Sequence, residues 1–352
     1  MKLDVDNHKL MYHPERVAEW KLKGDCFPIY IEIGPTNKCN HRCIFCALDY
    51  TMEGARAEIS KEVMLPTIKE IAKKGTKSIM FAGEGEPLLH KDICEFVQHA
   101  KKQKLDISIT TNGVLFNKEK IEKILPSLSW IRFSVDAGTK ENYAKIHNTN
   151  IEDFEKVLKN IKDAVEFKNK NNLNTIIGVQ FLLIPQNIHE VITFAKKIKE
   201  TGVDNVQIKP YSQHPCSKNK FVVDYKDYSH LEEEIKKLNS KNFEIVLRKQ
   251  AIQRLEIKGE YNFCHGLPFF CLIDAKGNVI PCNIFYNNEE MSYGNINEES
   301  FSKIWEGEKR KKVLNKFKEI GVKNCREICR LDTINRYLYR LKEMPHPHDN
   351  FI

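Results

Sequence analysis

The segment CNHRCIFC holds three cysteines, Cys39, Cys43 and Cys46, at a C-x3-C-x2-C spacing. Three thiolates on one short loop can hold three corners of a cubane 4Fe–4S cluster and leave one iron without a protein ligand. An open coordination position is what distinguishes catalytic metal sites from closed structural ones. The alternative is a zinc knuckle that takes His41 as its fourth ligand, but zinc loops usually pair two-residue spacings. The spacing therefore favours a catalytic iron–sulfur centre.

This loop, with the aromatic Phe45 directly before its third cysteine, resembles the radical S-adenosylmethionine (SAM) superfamily. The resemblance implies that SAM fills the open iron position and is cleaved reductively to a 5′-deoxyadenosyl radical. It also implies that SAM is bound by loops after later strands, with turns or helix caps as the alternative role of the same residues. The SAM-binding candidates are Phe45, Gly83 and Glu84 of GEGEP, Asn112 of TTNG, and Ser134 and Asp136 of FSVDAGT.

A second group of cysteines lies near the C-terminus, in CHGLPFFCLIDAKGNVIPC and NCREICR. Its spacing around Gly277 resembles the SPASM and shorter twitch domains, which are auxiliary-cluster extensions of radical SAM enzymes. The resemblance implies a second 4Fe–4S cluster, with structural zinc as the alternative. We expect a hairpin to present two thiolates and a helical turn to present the last two, which are four residues apart. The expected ligands are Cys264, Cys282, Cys325 and Cys329, with Cys271 as a substitute for Cys264, a core residue or a catalytic thiol.

Substrate groups should come from the last strands of the barrel. The candidates are Gln180, Lys209, Tyr211 and Cys216. Lys209 at a strand end suits an anionic group on the substrate or on SAM, although it could simply extend its amine to solvent. An auxiliary cluster near the substrate would accept an electron, which favours a dehydrogenase or epimerase acting on a small, polar, carbohydrate-like substrate. An epimerase would need a thiol hydrogen donor, either Cys216 or Cys271.

Two other functions stay open. Many SPASM proteins modify peptides, but those commonly carry an N-terminal peptide-binding domain, and the leader here is too short to form one. A non-catalytic metal or electron-transfer protein would not need the SAM-binding loops. A radical SAM enzyme also implies an electron donor such as flavodoxin or ferredoxin.

The elements that must position these residues alternate between strands and helices from residue 30 to residue 211. Repeated strand–helix units predict a parallel sheet covered by helices, with the chemistry on loops at the carboxyl ends of the strands. We predict an α/β protein with a partial (β/α)6 TIM-like barrel and a small C-terminal iron–sulfur domain. The expected segments are a leader (1–28), the barrel (29–212), a linker helix and strand (213–260), the auxiliary domain (261–335) and a tail (336–352).

Composition limits the setting of this chemistry. The 352 residues include eleven cysteines and show no signal peptide or membrane span, which predicts a cytoplasmic protein whose thiols stay reduced. The net charge of +8 comes mainly from lysines scattered over helices rather than from a basic stripe. This pattern argues against nucleic acid as a partner and fits a small, anionic substrate.

Overall fold

The computed structural model describes residues 8–225, 229–255 and 259–351. Strands of these described residues form one sheet in the order β10-β9-β8-β1-β2-β3-β4-β5-β6-β7. The strands are β1 (Tyr30–Ile33), β2 (Ser78–Phe81), β3 (Asp106–Thr111), β4 (Trp130–Ser134), β5 (Ile176–Leu183), β6 (Asn205–Pro210), β7 (Glu244–Leu247), β8 (Phe270–Ile273), β9 (Asn278–Ile280) and β10 (Gly294–Asn295).

Helices connect most of these strands. In the described part of the chain they are α1 (Pro14–Lys23), α2 (Lys61–Lys73), α3 (Ile93–Lys102), α4 (Lys118–Ile124), α5 (Lys140–His147), α6 (Glu152–Lys170), α7 (Val191–Lys199), α8 (Ser229–Leu238), α9 (Lys249–Gln253), α10 (Phe301–Glu306), α11 (Glu308–Ile320) and α12 (Asp332–Lys342). None of the helices in these described ranges combines the length and the apolar character needed to cross a bilayer.

Strands β1 to β6 are parallel, neighbour one another in chain order and are separated by helices. The first residues of β1, β4, β5 and β6 line a common cavity, so the sheet is curled around a central lumen. The predicted α/β fold with a partial barrel is therefore confirmed.

The alternation of side chains along each strand separates the face that packs in the core from the face that lines the lumen. On β4, Ile131 and Phe133 are at most 1% exposed in the core cluster that includes the helices, whereas Trp130 and Arg132 are half-buried and line the lumen. Successive side chains of a strand point to opposite faces. An eight-unit barrel fills its centre with branched apolar residues, and this chain instead leaves space there for ligands.

Two strands extend the sheet beyond the six predicted units. Strand β7, preceded by α8, pairs in parallel with β6, so the segment expected to be a linker supplies one more helix–strand unit. Strand β8 pairs in parallel with β1 at the opposite edge, with Phe270 beside Tyr30. Both strands cover edges that would otherwise expose unpaired backbone groups. The C-terminal cysteine region is thus built directly onto the barrel sheet.

The two chain ends pack against each other. Val17 and Trp20 of α1 form a small core with Phe269 and with Leu338 of α12, which is fully buried. The expected boundary after residue 335 falls within α12, so this helix is an integrated element rather than the start of a tail. The cause is its strongly amphipathic pattern, which buries one face.

Candidate active site

The first three cysteines lie together on the loop that follows β1. All three are half-buried, and the backbone N–H of Cys46 donates to the carbonyl of Cys43 over 3.0 Å. Burial raises the pKa of Cys39 to about 11, and the nearby Glu86 and Cys46 add to the rise. Burial also raises the pKa of Cys43, with Cys46 and Cys39 contributing. The thiolates raise one another's pKa because neighbouring negative charges repel, and coordination to a metal would remove this repulsion.

Two buried histidines flank Cys43. The Nδ1 atom of His147 lies 3.3 Å from Cys43 Sγ, and its Nε2 atom lies 2.9 Å from the Val135 carbonyl oxygen. Ligand atoms of His41, Cys43 and His147 all lie within 4.8 Å of one another. This group leaves out Cys39 and Cys46, so a zinc ion held by it would abandon two of the three loop thiols. The donor set of the loop itself fits an iron–sulfur cluster better.

The GEGEP loop after β2 packs against the cysteine loop. A Cβ atom on Gly85 would lie 2.4 Å from the Thr36 carbonyl oxygen and 2.5 Å from that of Lys38. Gly83 has a φ of +113°, and a Cβ there would lie 3.2 Å from Gly34 Cα. Only glycine tolerates both the close approach and this conformation. The main chain of the predicted SAM-binding loop is therefore held directly beside the three thiols.

Glu84 of the same loop faces the C-terminal region. Its Oε1 atom accepts a hydrogen bond of 2.6 Å from the backbone N–H of Ala275, and burial raises its pKa to about 7. This bond directs the carboxylate towards the C-terminal hairpin, and the role of Glu84 in SAM binding stays a prediction. The backbone of Gly83 and Glu84 stays available to a ligand.

Glu86 is the carboxylate of this loop that sequence reasoning did not single out. It is buried and accepts hydrogen bonds from Thr111 Oγ1 (2.7 Å), from the backbone N–H of Asn112 (2.8 Å) and from that of Leu88 (3.0 Å). Asn112 in turn donates from Nδ2 to Asn40 Oδ1 over 2.8 Å. These bonds tie the ends of β2 and β3 to the cysteine loop. The Pro87 that follows Glu86 was the available signal, because proline fixes the turn that aims this carboxylate.

The end of β4 carries the other two SAM candidates. Ser134 is half-buried on the lumen face. Asp136 is fully buried, and its Oδ1 atom accepts a hydrogen bond of 2.6 Å from the backbone N–H of Leu182. Its Oδ2 atom makes no hydrogen bond within the described residues and lies 3.5 Å from His147 Nε2, and burial raises the pKa of Asp136 to about 7. A buried carboxylate oxygen that makes no hydrogen bond fits a ligand hydroxyl group, and the predicted ribose contact stays a prediction.

The C-terminal cysteines Cys264, Cys282, Cys325 and Cys329 lie close enough together to raise one another's pKa. Burial raises the pKa of Cys282 well above its ordinary value, and Cys329, Cys264 and Cys325 add to the rise. Burial also raises the pKa of Cys264, and Cys329 and Cys325 add to the rise. Four converging thiols are the ligand set that a closed 4Fe–4S cluster requires, so the residues fit the predicted auxiliary cluster.

The prediction that Cys325 and Cys329 share a helical turn is wrong. Helix α11 ends at Ile320, Gly321 adopts a φ of +66°, and both cysteines lie in the irregular loop before α12. A helix would fix the spacing of the two thiols, whereas the loop allows both to turn towards the β8–β9 hairpin.

Of the three roles predicted for Cys271, its position favours that of a core residue. Cys271 is fully buried in the middle of β8, and Arg310 is the charged group that affects its pKa, which burial raises. Its neighbour Phe270 faces the lumen, so Cys271 points to the opposite face of the sheet, away from the converging thiols.

An upper cavity of about 350 Å³ lies between the two cysteine groups. Phe45 and Ala47 of the first cysteine loop border it, as do Cys282, Cys325 and Cys329. The predicted substrate residues Gln180, Lys209 and Tyr211 also line it.

Within this cavity, Lys209 Nζ donates to Gln180 Oε1 over 2.5 Å. The Tyr211 hydroxyl lies 3.3 Å from the Asn219 carbonyl oxygen, to which it donates. Cys216 is exposed and does not border the cavity, within the residues that the structure describes.

Sequence comparison relates the chain to known families. The model of the radical SAM superfamily matches residues 33–198, and that of an iron–sulfur cluster-binding domain, SPASM, matches residues 264–330. A protein of Methanocaldococcus jannaschii named "Probable GTP 3′,8-cyclase" is 30% identical over 235 residues, which cover 65% of this chain and 74% of that protein. A protein of the same name from Saccharolobus solfataricus is 29% identical over 222 residues, covering 62% and 68%.

Solved structures show the same fold. Streptococcus suis SuiB bound to precursor peptide SuiA superimposes with a TM-score of 0.66 at 19% identity, over 86% of this chain and 70% of SuiB. Native anSMEcpe with bound AdoMet gives a TM-score of 0.59 at 19% identity, over 90% of this chain and 96% of that one. At such identities the likeness concerns the fold.

Proposed function

Because the chain belongs to the radical SAM superfamily and carries a SPASM domain, we propose that it cleaves SAM reductively and abstracts hydrogen from a small, polar, anionic substrate in the upper cavity. The observation that carries the proposal is the position of this cavity. Phe45 and Ala47 of the first cysteine loop border it on one side, and Cys282 and Cys329 border it on the other. A substrate held there would lie between the two metal sites.

The residues present fit the cofactors of the family. Cys39, Cys43 and Cys46 would hold the catalytic cluster, and the four converging C-terminal cysteines would hold the auxiliary one. When bound, the first cluster supplies the electron that cleaves SAM, and the second can accept an electron from the substrate. The GEGEP backbone and the buried Asp136 would position SAM, while Phe45 packs edge-on against His147 and closes one side of the site.

Charge supports an anionic substrate. Lys209 is packed into the lumen near Arg132, Arg248 and Arg330, and its pKa is well below the ordinary lysine value because of burial first and of these arginines second. Arg326 also lines the cavity, donates from Nη2 to the Ser212 carbonyl oxygen over 2.6 Å, and has an Nε atom without a partner within the described residues. Buried cations gain most from an anionic ligand.

We favour oxidation of the substrate over epimerisation. An epimerase needs a thiol that faces the substrate, but Cys216 is exposed outside the cavity and Cys271 points away from it. A neighbouring auxiliary cluster instead suits removal of an electron, as a dehydrogenase of a phosphorylated, sugar-like substrate requires. A nucleotide is the second candidate, because the cationic lining suits its phosphates and relatives are named "Probable GTP 3′,8-cyclase".

The test is transfer of deuterium to 5′-deoxyadenosine. The reconstituted enzyme, reduced anaerobically by flavodoxin or ferredoxin as the proposed donor, is incubated with deuterated sugar phosphates, nucleotides and peptides. We expect label from a phosphorylated small molecule and none when Cys39, Cys43 and Cys46 are replaced by alanine. Label from peptides alone would contradict the proposed substrate class.

A charge variant refines this test. Lys209→Met should raise the KM for the labelled anionic substrate at least about tenfold, which corresponds to the loss of one charge-assisted contact. Lys123→Met is the matched control, because Lys123 is an exposed lysine that pairs with Glu119 on α4. Equal KM values for the two variants would exclude Lys209 from substrate binding.

A further inference from the structure

A second, lower cavity of about 540 Å³ opens at the other end of the barrel. Residues that begin β1, β2, β4, β5 and β6 line it, so it lies at the amino ends of the strands. The cysteine loop and the SAM-binding loops follow the carboxyl ends of their strands. The reaction proposed for the upper cavity therefore assigns no role to the lower cavity.

The lower cavity is rich in arginine. Arg132, Arg248, Arg254 and Arg330 line it. Arg330 bonds to Glu32, and Arg254 Nε lies 3.4 Å from an oxygen of Asp332. Among the described residues, the lining of this cavity includes four arginines and no carboxylate, so the wall is positively charged.

Of these four arginines, Arg132 is the one that does not also line the upper cavity. Its guanidinium lies over the Trp130 ring at 4.7 Å from the centroid, and it makes no hydrogen bond or ion pair with any residue that the structure describes. Burial, together with Arg248 and Arg330, lowers its pKa to about 10. Burying a cation without a partner is costly unless a ligand compensates it.

The wall beside this guanidinium is both polar and aromatic. Gly178 is the register partner of Arg132 on the neighbouring strand, and a Cβ at Gly178 would lie 2.7 Å from Asn205 Oδ1, so glycine makes room for the Asn205 side chain, which also lines the cavity. Trp130, Phe269 and Phe270 add aromatic surface to the cavity wall, which suits an organic group next to an anion.

We propose that the lower cavity binds the phosphate group of a small organic molecule, with Arg132 as its main contact. Several guanidinium groups around one space suit the three oxygens of a phosphate ester better than the two of a carboxylate, because each guanidinium can bind two oxygens. Arg248, Arg254 and Arg330 line both cavities, so the site is centred on Arg132, which borders only the lower one. The proposal does not depend on the proposed reaction.

The first experiment measures binding of inorganic phosphate to the cluster-loaded protein by calorimetry, at an ionic strength held constant with chloride. Arg132→Gln should weaken binding at least tenfold. Arg340→Gln is the matched control, because Arg340 pairs with Asp349 on the exposed C-terminal segment, and it should bind like the wild type. Equal affinity of Arg132→Gln and the wild type would overturn the proposal.

A third variant separates the two cavities. Arg326 borders the upper cavity but not the lower one. Arg326→Gln should therefore leave phosphate affinity within about twofold of the wild type. If Arg326→Gln abolishes binding and Arg132→Gln does not, the phosphate binds in the upper cavity and the proposal is wrong.

Locating a bound anion in crystals of the wild type needs no variant, so a variant that fails to fold cannot affect the result. Wild-type crystals soaked in arsenate, an anomalously scattering phosphate analogue, should show a peak within hydrogen-bonding distance of Arg132. A peak confined to the upper cavity, or none in either, would reject the site. Because this measurement needs no variant and no catalysis, its failure is distinguishable from failure of the radical SAM reaction.

Discussion

The carboxylate of Glu84 accepts a 2.6 Å hydrogen bond from the backbone N–H of Ala275. Glu84 belongs to the loop after β2, and Ala275 lies in the turn between β8 and β9, so this bond joins the SAM-binding half of the molecule to its cysteine-bearing hairpin. A hydrogen bond to a backbone N–H lowers the pKa of a carboxyl group, but burial prevails here and raises it to about 7. The link between the two halves is therefore sensitive to pH.

Glu84 should make stability fall as pH rises through the weakly acidic range. Below the ordinary value of 4.5 the group is protonated in both states; between there and about 7 the unfolded chain ionises while the folded protein keeps its proton. A raised pKa thus contributes stability at low pH that is lost towards neutrality, by about 3 kcal/mol in total. Glu84→Gln retains an acceptor for the Ala275 N–H and should remove this fall.

The measurement is the melting temperature of the cluster-loaded protein between pH 5 and pH 8, at constant ionic strength. We expect the variant to gain stability over the wild type progressively as pH rises. Glu119→Gln, at an exposed position on α4, is the control and should follow the wild type. Parallel curves for Glu84→Gln and the wild type would show that Glu84 does not titrate in this range.

Gly85 should be essential for the contact between the GEGEP loop and the cysteine loop. In Gly85→Ala, the new methyl group would lie 2.4 Å from the Thr36 carbonyl oxygen, so one of two backbone segments must move. We expect a loss of about 1–3 kcal/mol of stability, as overpacking usually costs. About four irons, those of the cluster on the displaced loop, should also be lost.

Gly54→Ala provides the matched control. A Cβ at Gly54 has no atom within 4 Å, and its φ of −91° suits alanine. This variant should keep both its stability and about eight irons, as two four-iron clusters require. Iron analysis with electron paramagnetic resonance distinguishes the two variants, and a fully loaded Gly85→Ala protein would contradict the proposed packing role.

The C-terminal ligand set predicts different outcomes for neighbouring thiols. Replacing Cys325 and Cys329 together with alanine should remove about four irons, because half of a closed ligand set is lost. Cys271→Ala should keep about eight irons, because this thiol faces away from the other four. Its expected cost is only that of a small cavity in the core. Iron loss in Cys271→Ala would return this residue to the ligand set.

Much of this site could be predicted because it depends on local sequence. Cys39, Cys43 and Cys46 share one loop, and the strand–helix alternation that places this loop at a carboxyl edge extends over the whole barrel. No contact between distant parts of the sequence is needed to bring these three thiols together. Resemblance grouped Cys325 and Cys329 with Cys264 and Cys282, and this ligand set stays a prediction. The backbone of Cys325 and Cys329 was predicted wrongly, since a spacing of four residues fits a loop as well as a helix.

The remaining features depend on contacts far apart in sequence. Nothing local indicates that β8 pairs with β1 or that β7 extends β6, because edge pairing is decided by which strand covers which edge. In the same way, GEGEP offers two carboxylates, and only the folded chain separates Glu84, which bonds to Ala275, from Glu86, which bonds to Asn112. The sequence around Arg132 indicates only a strand, and the folded sheet is needed to show that this residue faces the lumen.

Cys216 should be the single fast-reacting thiol of the native enzyme. It is the exposed one among the eleven cysteines, all of which the structure describes. The seven cluster ligands are expected to be held by iron, and burial raises the pKa of Cys26, Cys94 and Cys271, which lowers their reactivity. After brief anaerobic treatment with iodoacetamide, mass spectrometry should therefore show one label on the wild type and none on Cys216→Ser.

Because Cys216 lies outside the upper cavity, the Cys216→Ser variant should also keep its SAM cleavage and its substrate turnover. Turnover lost while SAM cleavage persists would instead identify Cys216 as a hydrogen donor and favour the epimerase.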